Sequence, residues 1–225
     1  MAYETTISFT LDTICPWTYI AKKRLDTARS RIKETHPDVT FHLHVAPYQL
    51  HADAPAQGED KYHWYLHNKY NDNEDQMQKY TTYMSALGVG CGIDFKFGGT
   101  IASTLDAHRV IQWVEAKFGA EMAEKVVDSL YRQYFEEEKH PSSKETLLAA
   151  TDEAGISESE AEPFVDDQSD GLRDVKMLIQ EQVGNGVDAV PHITVEGRRR
   201  DFTLTGAKEV DEYVKAMEQV IKESK

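Results

Sequence analysis

The chain has 225 residues, of which 40% are hydrophobic, with 13 glycines and 7 prolines. This is the composition of an ordinary globular protein with a buried core. The formal net charge of −14 argues against binding to nucleic acid, which depends on clustered Lys and Arg side chains that neutralise phosphates. No stretch is long and apolar enough to suggest a membrane span, so neither a nucleic acid nor a membrane is an expected partner.

The N-terminal 20 residues lack a basic segment followed by an apolar one, and no secretory signal is expected there. The two cysteines, Cys15 and Cys91, do not form the disulfide framework of a secreted chain of this size. We therefore expect a cytoplasmic protein with reduced thiols.

The first elements along the chain form a strand, a helix and a second strand. Residues 5–11 alternate apolar and polar side chains, as does the stretch 39–45, and this pattern is typical of strands with one buried face. Between them a helix is predicted to begin at Cys15 or just after it. Its apolar positions recur with helical spacing at Ala21, Leu25, Ala28 and Ile32. The N-terminal part is therefore a βαβ unit.

This arrangement places the thiol of Cys15 at a helix N-terminus. The first N–H groups of a helix have no internal partner and carry the positive end of the helix dipole, which favours a thiolate. Cysteines in such positions have pKa values lowered from about 8.5 to roughly 3.5–7.5. Pro16 suits the first helical turn because its missing N–H is not needed there. Cys15 is a candidate nucleophile, and a buried inert thiol is the alternative.

The sequence Cys15-Pro16-Trp17 after a strand resembles the DsbA-like branch of the thioredoxin superfamily, in particular the FrnE-like proteins. Kappa-class glutathione transferases and 2-hydroxychromene-2-carboxylate isomerases are related to this branch. FrnE-like proteins usually have Cys-Pro-Trp-Cys, whereas this chain has Thr18 at the fourth position. A threonine cannot attack a mixed disulfide, so the site is monothiol, and we expect Thr18 to donate a hydrogen bond to the thiolate.

A proline that opens a strand follows a long helical region. Val190-Pro191 precedes a β-branched stretch and resembles the family's cis-proline turn, so a cis bond is predicted. The resemblance implies that Val190 faces the thiol and pairs through its backbone with an extended ligand. It also implies that Gly206 and Ala207 open the last helix and bind the γ-glutamyl carboxylate of glutathione there. Plain capping of that helix by Thr205 is the alternative.

The fold class predicted from these elements is α/β, a thioredoxin fold of the order β-α-β … β-β-α with a large helical insertion. We expect a discontinuous thioredoxin-like domain formed by 1–58 and 185–225, and a helical insertion domain formed by 59–184. Within the insertion, Ser142 and Glu145 indicate a capping box at a helix start, and Ser157 with Glu160 indicates another.

The insertion also contains candidate ligand contacts. The segment from Ser103 to His108 resembles the family's Asn-Thr-x-x-Ala-His, which implies a position near the active site for His108, with burial in the helix as the alternative. Cys91 is either a loop thiol without a role or a distant resolving thiol. The insertion's aromatic residues either pack in the core or line an apolar pocket for an acceptor: Tyr62, Trp64, Tyr65 and Tyr70.

A metal site is not expected. His63 and His67 share a helical face and His42 and His44 share a strand face, but the sequence marks no third ligand for either pair.

Three functions remain open from the sequence. The first is a DsbA-like monothiol oxidoreductase that uses Cys15 with glutathione as co-substrate. The second is a glutathione-dependent transferase or isomerase that acts on a small electrophile. The third is a binding module that has lost its redox activity. The expected partners are a small-molecule or thiol or disulfide substrate, and a homodimer is left open.

Overall fold

The computed structural model describes residues 3–224. Six strands and nine helices lie in this part of the chain. The strands are β1 (Tyr3–Leu11), β2 (Val39–Pro47), β3 (Glu59–Asp60), β4 (Thr100–Ile101), β5 (His192–Val195) and β6 (Phe202–Thr205). The helices are α1 (Pro16–Thr35), α2 (Lys61–Tyr70), α3 (Glu74–Cys91), α4 (Leu105–Phe118), α5 (Ala120–Phe135), α6 (Lys144–Glu153), α7 (Glu158–Asp166), α8 (Leu172–Gly184) and α9 (Val210–Glu223).

The central sheet has four strands in the order β2-β1-β5-β6. β1 runs parallel to β2, with Phe9 opposite Val45, and antiparallel to β5, with Phe9 opposite Ile193. β5 and β6 form an antiparallel pair in which His192 lies opposite Thr205. This order brings the N-terminal βαβ unit and the C-terminal ββα unit into one sheet, and it places the end of β1 beside the start of β5.

The core is built on the predicted apolar positions. In α1 the four predicted positions are all buried, and α1 packs against α9. The predicted inward residues of β1, Ile7, Phe9 and Leu11, are each 0% exposed. At about 25 cal/mol per Å² of apolar surface removed from water, this packing is the main stabilising contribution.

The region between the two units is helical from α2 to α8, with one addition that the pattern did not indicate. β3 and β4 form a short antiparallel pair in which Glu59 lies opposite Ile101. The α6 cap lies one residue later than predicted, because Ser143 accepts the hydrogen bond from the Thr146 amide. Ser157 precedes α7 but makes no capping bond to the backbone.

The predicted start of the last helix is wrong. α9 begins at Val210, and Glu209 is its N-cap in a capping box with Glu212. Gly206 and Ala207 instead form the turn that follows β6, with Gly206 at φ +82°. The sheet extends through Thr205, so the chain needs these additional residues before it can enter the helix.

No helix between residues 3 and 224 is both long and apolar enough to cross a membrane.

Candidate active site

Cys15 is the N-cap residue of α1. Its backbone N–H donates to the Asp12 carbonyl at 3.0 Å, and its own carbonyl accepts from the Thr18 amide at 3.1 Å. Pro16 follows in the first helical turn, as predicted. The strand, the turn and the helix together fix the position of the sulfur. Cys15 is buried, with 4% of its surface exposed.

The turn before β5 closes over this thiol. The Val190-Pro191 peptide bond is cis, which confirms the prediction. The thiol of Cys15 contacts the carbonyl oxygen of Val190 at 3.8 Å. The Gly206 amide donates to the Pro191 carbonyl at 2.8 Å and ties the turn to the end of β6.

The predicted lowering of the Cys15 pKa is wrong for this closed arrangement. Burial of the thiol raises the pKa of Cys15 to about 11, and the nearby Asp12 carboxylate adds to this effect. Hydrogen bonds from Thr18 and the Trp17 amide act in the opposite direction and are too weak to compensate. Loss of water around the sulfur therefore outweighs the favourable end of the helix.

Thr18 is buried one turn into α1. Its hydroxyl lies 2.7 Å from the Cys15 carbonyl and 2.9 Å from the Asp12 carbonyl, and it donates to these backbone oxygens. The Thr18 side chain also lowers the pKa of Cys15, which is the direction that the predicted bond to the sulfur requires. Thr18 therefore acts mainly by fixing the turn that holds Cys15.

Asp12 is a residue of this site that the sequence analysis did not single out. It is fully buried, and its Oδ2 accepts a hydrogen bond from the Leu50 amide at 2.7 Å. The signal for its role was its position in the same turn as Cys15. A buried carboxylate is costly without a partner, so its surroundings bear on the chemistry of the thiol.

His108 is at the site but does not face a ligand. It is 0% exposed, and its Nε2 lies 3.4 Å from Oδ1 of Asp12. A side chain so enclosed cannot touch a substrate, and the prediction that His108 binds substrate or glutathione is wrong. Burial of His108 in its helix was the alternative prediction, and the structure supports it because the ring packs against the turn that contains Asp12.

The exposed part of the site is aromatic. Trp17 is 37% exposed, and its ring centroid lies 6.3 Å from that of Tyr83 in α3. A small apolar pocket beside Pro16 is lined by aromatic and aliphatic side chains, among them Tyr65, Tyr80, Phe95 and Tyr134. Of the four aromatic residues considered for an acceptor pocket, Tyr65 lines this one, whereas Tyr62, Trp64 and Tyr70 do not.

A buried lysine also lines this pocket. Nζ of Lys61 donates to the carbonyls of Tyr134 and Lys96 at 3.2 and 3.3 Å, and it lies 4.3 Å from the centroid of the Tyr134 ring. Burial lowers the pKa of Lys61 to about 8. The carboxylates of Glu138 and Asp60 raise this pKa but do not offset the effect of burial.

Gly206 and Ala207 do not lie at a helix N-terminus, which was the reason for predicting that they bind the γ-glutamyl carboxylate of glutathione. The helix that was expected to present free amides to a carboxylate starts later, and its first turn carries Asp211 and Glu212. These acidic residues oppose an anion at that helix end. The Gly206 amide is already bonded to the Pro191 carbonyl.

Cys91 is a free, partly exposed thiol at the end of α3. It lines a cleft with Arg24, Thr27 and Arg31 of α1. At about 1.5 Å per residue these positions lie roughly 15–25 Å along the helix from Cys15. A resolving role for Cys91 towards Cys15 is therefore wrong for this fold.

Among residues 3–224, no three or more His, Cys, Asp or Glu side chains are grouped so that they could hold a metal ion. His63 and His67 are paired instead with Asp60 and Asp72.

A βαβ unit and a ββα unit in one sheet, with a cysteine at the first helix and a cis-proline opposite it, define a thiol protein of the thioredoxin fold. The chain belongs to the DSBA-like thioredoxin domain family, whose sequence profile matches residues 6–218. This confirms the resemblance and the fold class predicted from the sequence.

Solved structures of three related proteins have the same fold. A probable DsbA oxidoreductase from Streptomyces coelicolor superposes with a TM-score of 0.82 at 20% identity, over 97% of this chain and 91% of that chain. The cytosolic disulfide reductase DsbM from Pseudomonas aeruginosa gives 0.67 at 15% identity, over 96% and 98%. A 2-hydroxychromene-2-carboxylate isomerase gives 0.68 at 15% identity, over 96% of each chain. Among curated proteins, no sequence matches this chain.

Proposed function

We propose that the protein is a monothiol oxidoreductase in which Cys15 is the reacting thiol and glutathione is the co-substrate. The observation that carries this proposal is the contact of the Cys15 thiol with the Val190 carbonyl across the cis-proline turn. In this position a sulfur can meet the backbone of an extended thiol or disulfide ligand that pairs with Val190. Thr18 in place of a second cysteine limits the site to one-thiol chemistry.

The proposed reaction has two thiol–disulfide exchanges. The Cys15 thiolate attacks one sulfur of a glutathione mixed disulfide, the S–S bond breaks, and the departing thiolate takes up a proton. Cys15 is then joined to glutathione by a disulfide. This bond is broken by the thiolate of a second glutathione, which yields oxidised glutathione and regenerates the Cys15 thiolate. The substrate is released as a thiol, one reduced glutathione is consumed, and one molecule of oxidised glutathione is formed from it and the glutathione of the substrate.

The environment of the sulfur favours reduction of substrates over their oxidation. A thiol protein is a strong oxidant when its reduced form is stabilised, as in DsbA. Here burial and Asp12 raise the pKa of Cys15, so the reduced thiolate is not stabilised. The similarity to a cytosolic disulfide reductase, also solved with GSH, supports this direction and the use of glutathione.

The other residues that could contact the ligand have different roles in this proposal. Pro16 and Trp17 lie beside the thiol and are proposed to contact the ligand, together with Val190 and Pro191. Gly206 and Ala207 are kept as neighbours of the cis-proline turn and not as a carboxylate site at a helix N-terminus. A cytoplasmic location is proposed because both cysteines are free, as in a reduced compartment.

Intact mass spectrometry after incubation with oxidised glutathione tests the proposal. We expect one glutathione adduct on Cys15 that is removed by reduced glutathione. The Cys91→Ser variant is the matched control and should form the same adduct, whereas Cys15→Ser should form none there. If the adduct forms on Cys91 alone, Cys15 is not the reacting thiol.

A glutathione-dependent transferase or isomerase is the second candidate. The aromatic lining of the pocket beside Pro16 favours it, although the volume of about 20 Å³ means that the rings must move apart to admit an apolar acceptor. Glutathione that binds without forming an adduct would support this function. A binding module without redox activity is the third candidate, and it predicts that the protein neither forms the adduct nor binds glutathione.

A further inference from the structure

Lys61 is a buried amine that the proposed reaction does not use. It is the first residue of α2, yet its side chain turns inward and the residue is only 4% exposed. Nζ donates to the carbonyl of Tyr134 at 3.2 Å and to that of Lys96 at 3.3 Å. It also lies 4.3 Å from the centroid of the Tyr134 ring. The groups that accept hydrogen bonds from this amine are therefore two neutral backbone oxygens.

These two contacts match the hydrogens of an uncharged amine. A neutral Lys side chain has two N–H groups and one lone pair, and the two carbonyls can accept from both N–H groups. Tyr134 lies in the last turn of α5, where carbonyls lack a partner within the helix, so its bond to Nζ also caps that helix. Burial favours the uncharged form and lowers the pKa of Lys61 to about 8. The lone pair is then free to react, as in lysines that form Schiff bases.

A second polar group in this pocket lacks a partner. Tyr134 is 1% exposed, and its hydroxyl has no hydrogen-bond partner among residues 3–224. Because Nζ of Lys61 lies over the ring that carries this hydroxyl, the hydroxyl is within reach of a small group attached to Nζ. A buried hydroxyl without a partner is costly, so an acceptor held there would gain a hydrogen bond. The pocket therefore presents a nucleophile and a donor side by side.

The size and the walls of the pocket define which molecule could react there. The space open to a water-sized molecule has a volume of about 20 Å³, which is enough for one small group. A charged ligand would lose its solvation among the aromatic walls, and a larger one would meet the rings. An uncharged carbonyl compound of one or two carbons avoids both costs. The aromatic lining consists of Tyr65, Tyr80, Phe95, Phe97, Tyr134 and Phe135.

We propose that Lys61 is a covalent site for a small uncharged aldehyde of one or two carbons. The Nζ lone pair attacks the carbonyl carbon, a C–N bond forms, and the carbonyl oxygen takes one proton from the nitrogen to become a hydroxyl. The Tyr134 hydroxyl donates a hydrogen bond to that oxygen. The oxygen then leaves as water with the second proton of the nitrogen, and the product is an imine on Nζ. Because the imine nitrogen gives up its bonds to the two carbonyls, the adduct is held weakly and water reverses it.

Reductive methylation with formaldehyde and cyanoborohydride tests the proposal, because the hydride converts each imine to a stable methylamine. The native protein receives a limiting amount of formaldehyde near neutral pH, and peptide mass spectrometry reads the monomethylation of each lysine. We expect Lys61 to be labelled more than about tenfold faster than the exposed Lys125, since an ammonium group does not react. A buried lysine with a purely structural role reacts more slowly than an exposed one. The opposite ranking of Lys61 and Lys125 therefore overturns the proposal.

Two variants test the part given to the Tyr134 hydroxyl. Tyr134→Phe keeps the ring and removes the hydroxyl, and we expect it to slow the labelling of Lys61 about tenfold, the effect of one lost hydrogen bond to the reacting oxygen. Tyr131→Phe is the matched control, because its hydroxyl is also buried without a partner in the described part of the chain but does not line the pocket. It should leave the rate unchanged. Equal rates in folded Tyr134→Phe and Tyr131→Phe proteins would show that Tyr134 is not the donor.

Two further measurements check the ligand class and keep this inference separate from the proposed function. Benzaldehyde is too large for the pocket and should label Lys125 but not Lys61, so equal labelling of both residues would contradict the small-aldehyde class. Formaldehyde should label Lys61 in Cys15→Ser protein as fast as in the unsubstituted protein, because the amine reacts without the thiol. A rate that falls in Cys15→Ser protein would overturn an independent site. Failure of the glutathione adduct on Cys15 leaves this inference untouched, and failure of the Lys61 label leaves the proposed function untouched.

Discussion

The sulfur of Cys15 lies 3.8 Å from the carbonyl oxygen of Val190, although 175 residues separate them in the chain. The first residue caps α1 and the second precedes a cis-proline at the start of β5. Because β1 and β5 are neighbours in the sheet, the two turns meet at one end of these strands. This contact shields the sulfur from water and places a backbone acceptor against it.

The reactivity of Cys15 should depend steeply on pH. Since the thiolate is the nucleophile and burial raises its pKa to about 11, we expect alkylation of Cys91→Ser protein to accelerate about tenfold per pH unit from about pH 6 to about pH 10. The folded pKa exceeds the ordinary value of 9.0, so the reduced protein should lose up to about 3 kcal/mol of unfolding free energy as pH rises from about 9 to about 11. Cys15→Ser should lack this loss. A rate that levels off below about pH 9 would contradict the prediction.

Thr18→Cys should change the outcome of the reaction with oxidised glutathione. The new thiol would replace the hydroxyl one turn after Cys15 and could attack its mixed disulfide. We expect an internal disulfide and free glutathione where the unsubstituted protein keeps the adduct, as read by intact mass. Thr18→Ser is the matched control because it retains the hydroxyl that bonds the Asp12 and Cys15 carbonyls. A persistent adduct on folded Thr18→Cys protein would show that the turn holds the two sulfurs apart.

Lys61 should make stability rise with pH. Its folded pKa of about 8 lies below the ordinary value of 10.5. Between these two pH values the unfolded chain binds more protons than the folded protein, so the folded state becomes more stable as pH increases. From about pH 7 to about pH 9.5 the unfolding free energy should increase by about 2 kcal/mol relative to Lys61→Met, measured by urea unfolding. Replacement of the exposed Lys125 by Met should give no such difference. Parallel curves for the unsubstituted protein and Lys61→Met would refute a low pKa for this lysine.

Gly99 should tolerate a side chain far less well than Gly119. Both have positive φ, at +87° and +93°, but a Cβ at Gly99 would overlap the Glu138 backbone, whereas Gly119 faces open space. Gly119→Ala should therefore cost about 1–2 kcal/mol of unfolding free energy from backbone conformation alone. Gly99→Ala should cost several kcal/mol more than this. Thermal unfolding followed by circular dichroism compares the two variants. Equal losses would mean that the loop beside Glu138 moves freely.

Local sequence patterns predicted most of the fold. The alternation in β1 and the spacing at Ala21 and Leu25 identified the βαβ unit, because burial of one face imposes a period on the chain. The start of α9 was missed because Gly206 resembles a helix boundary in isolation, and only the pairing of β6 through Thr205 moves that boundary. The β3–β4 pair was missed because two-residue strands have no period to detect.

The sequence by itself determined the fold class and the thiol at the head of α1, since these follow from residue types in a local order. The monothiol character given by Thr18 and the cis-proline turn followed from the resemblance of those motifs to the DsbA-like family. Tertiary structure alone decided how that thiol behaves. The pKa of Cys15 depends on how much water reaches the sulfur and on where the Asp12 charge lies, and His108 became part of the site only because α4 buries its ring against that carboxylate. Solvation and the distances between charges are set by packing, and no local pattern records them.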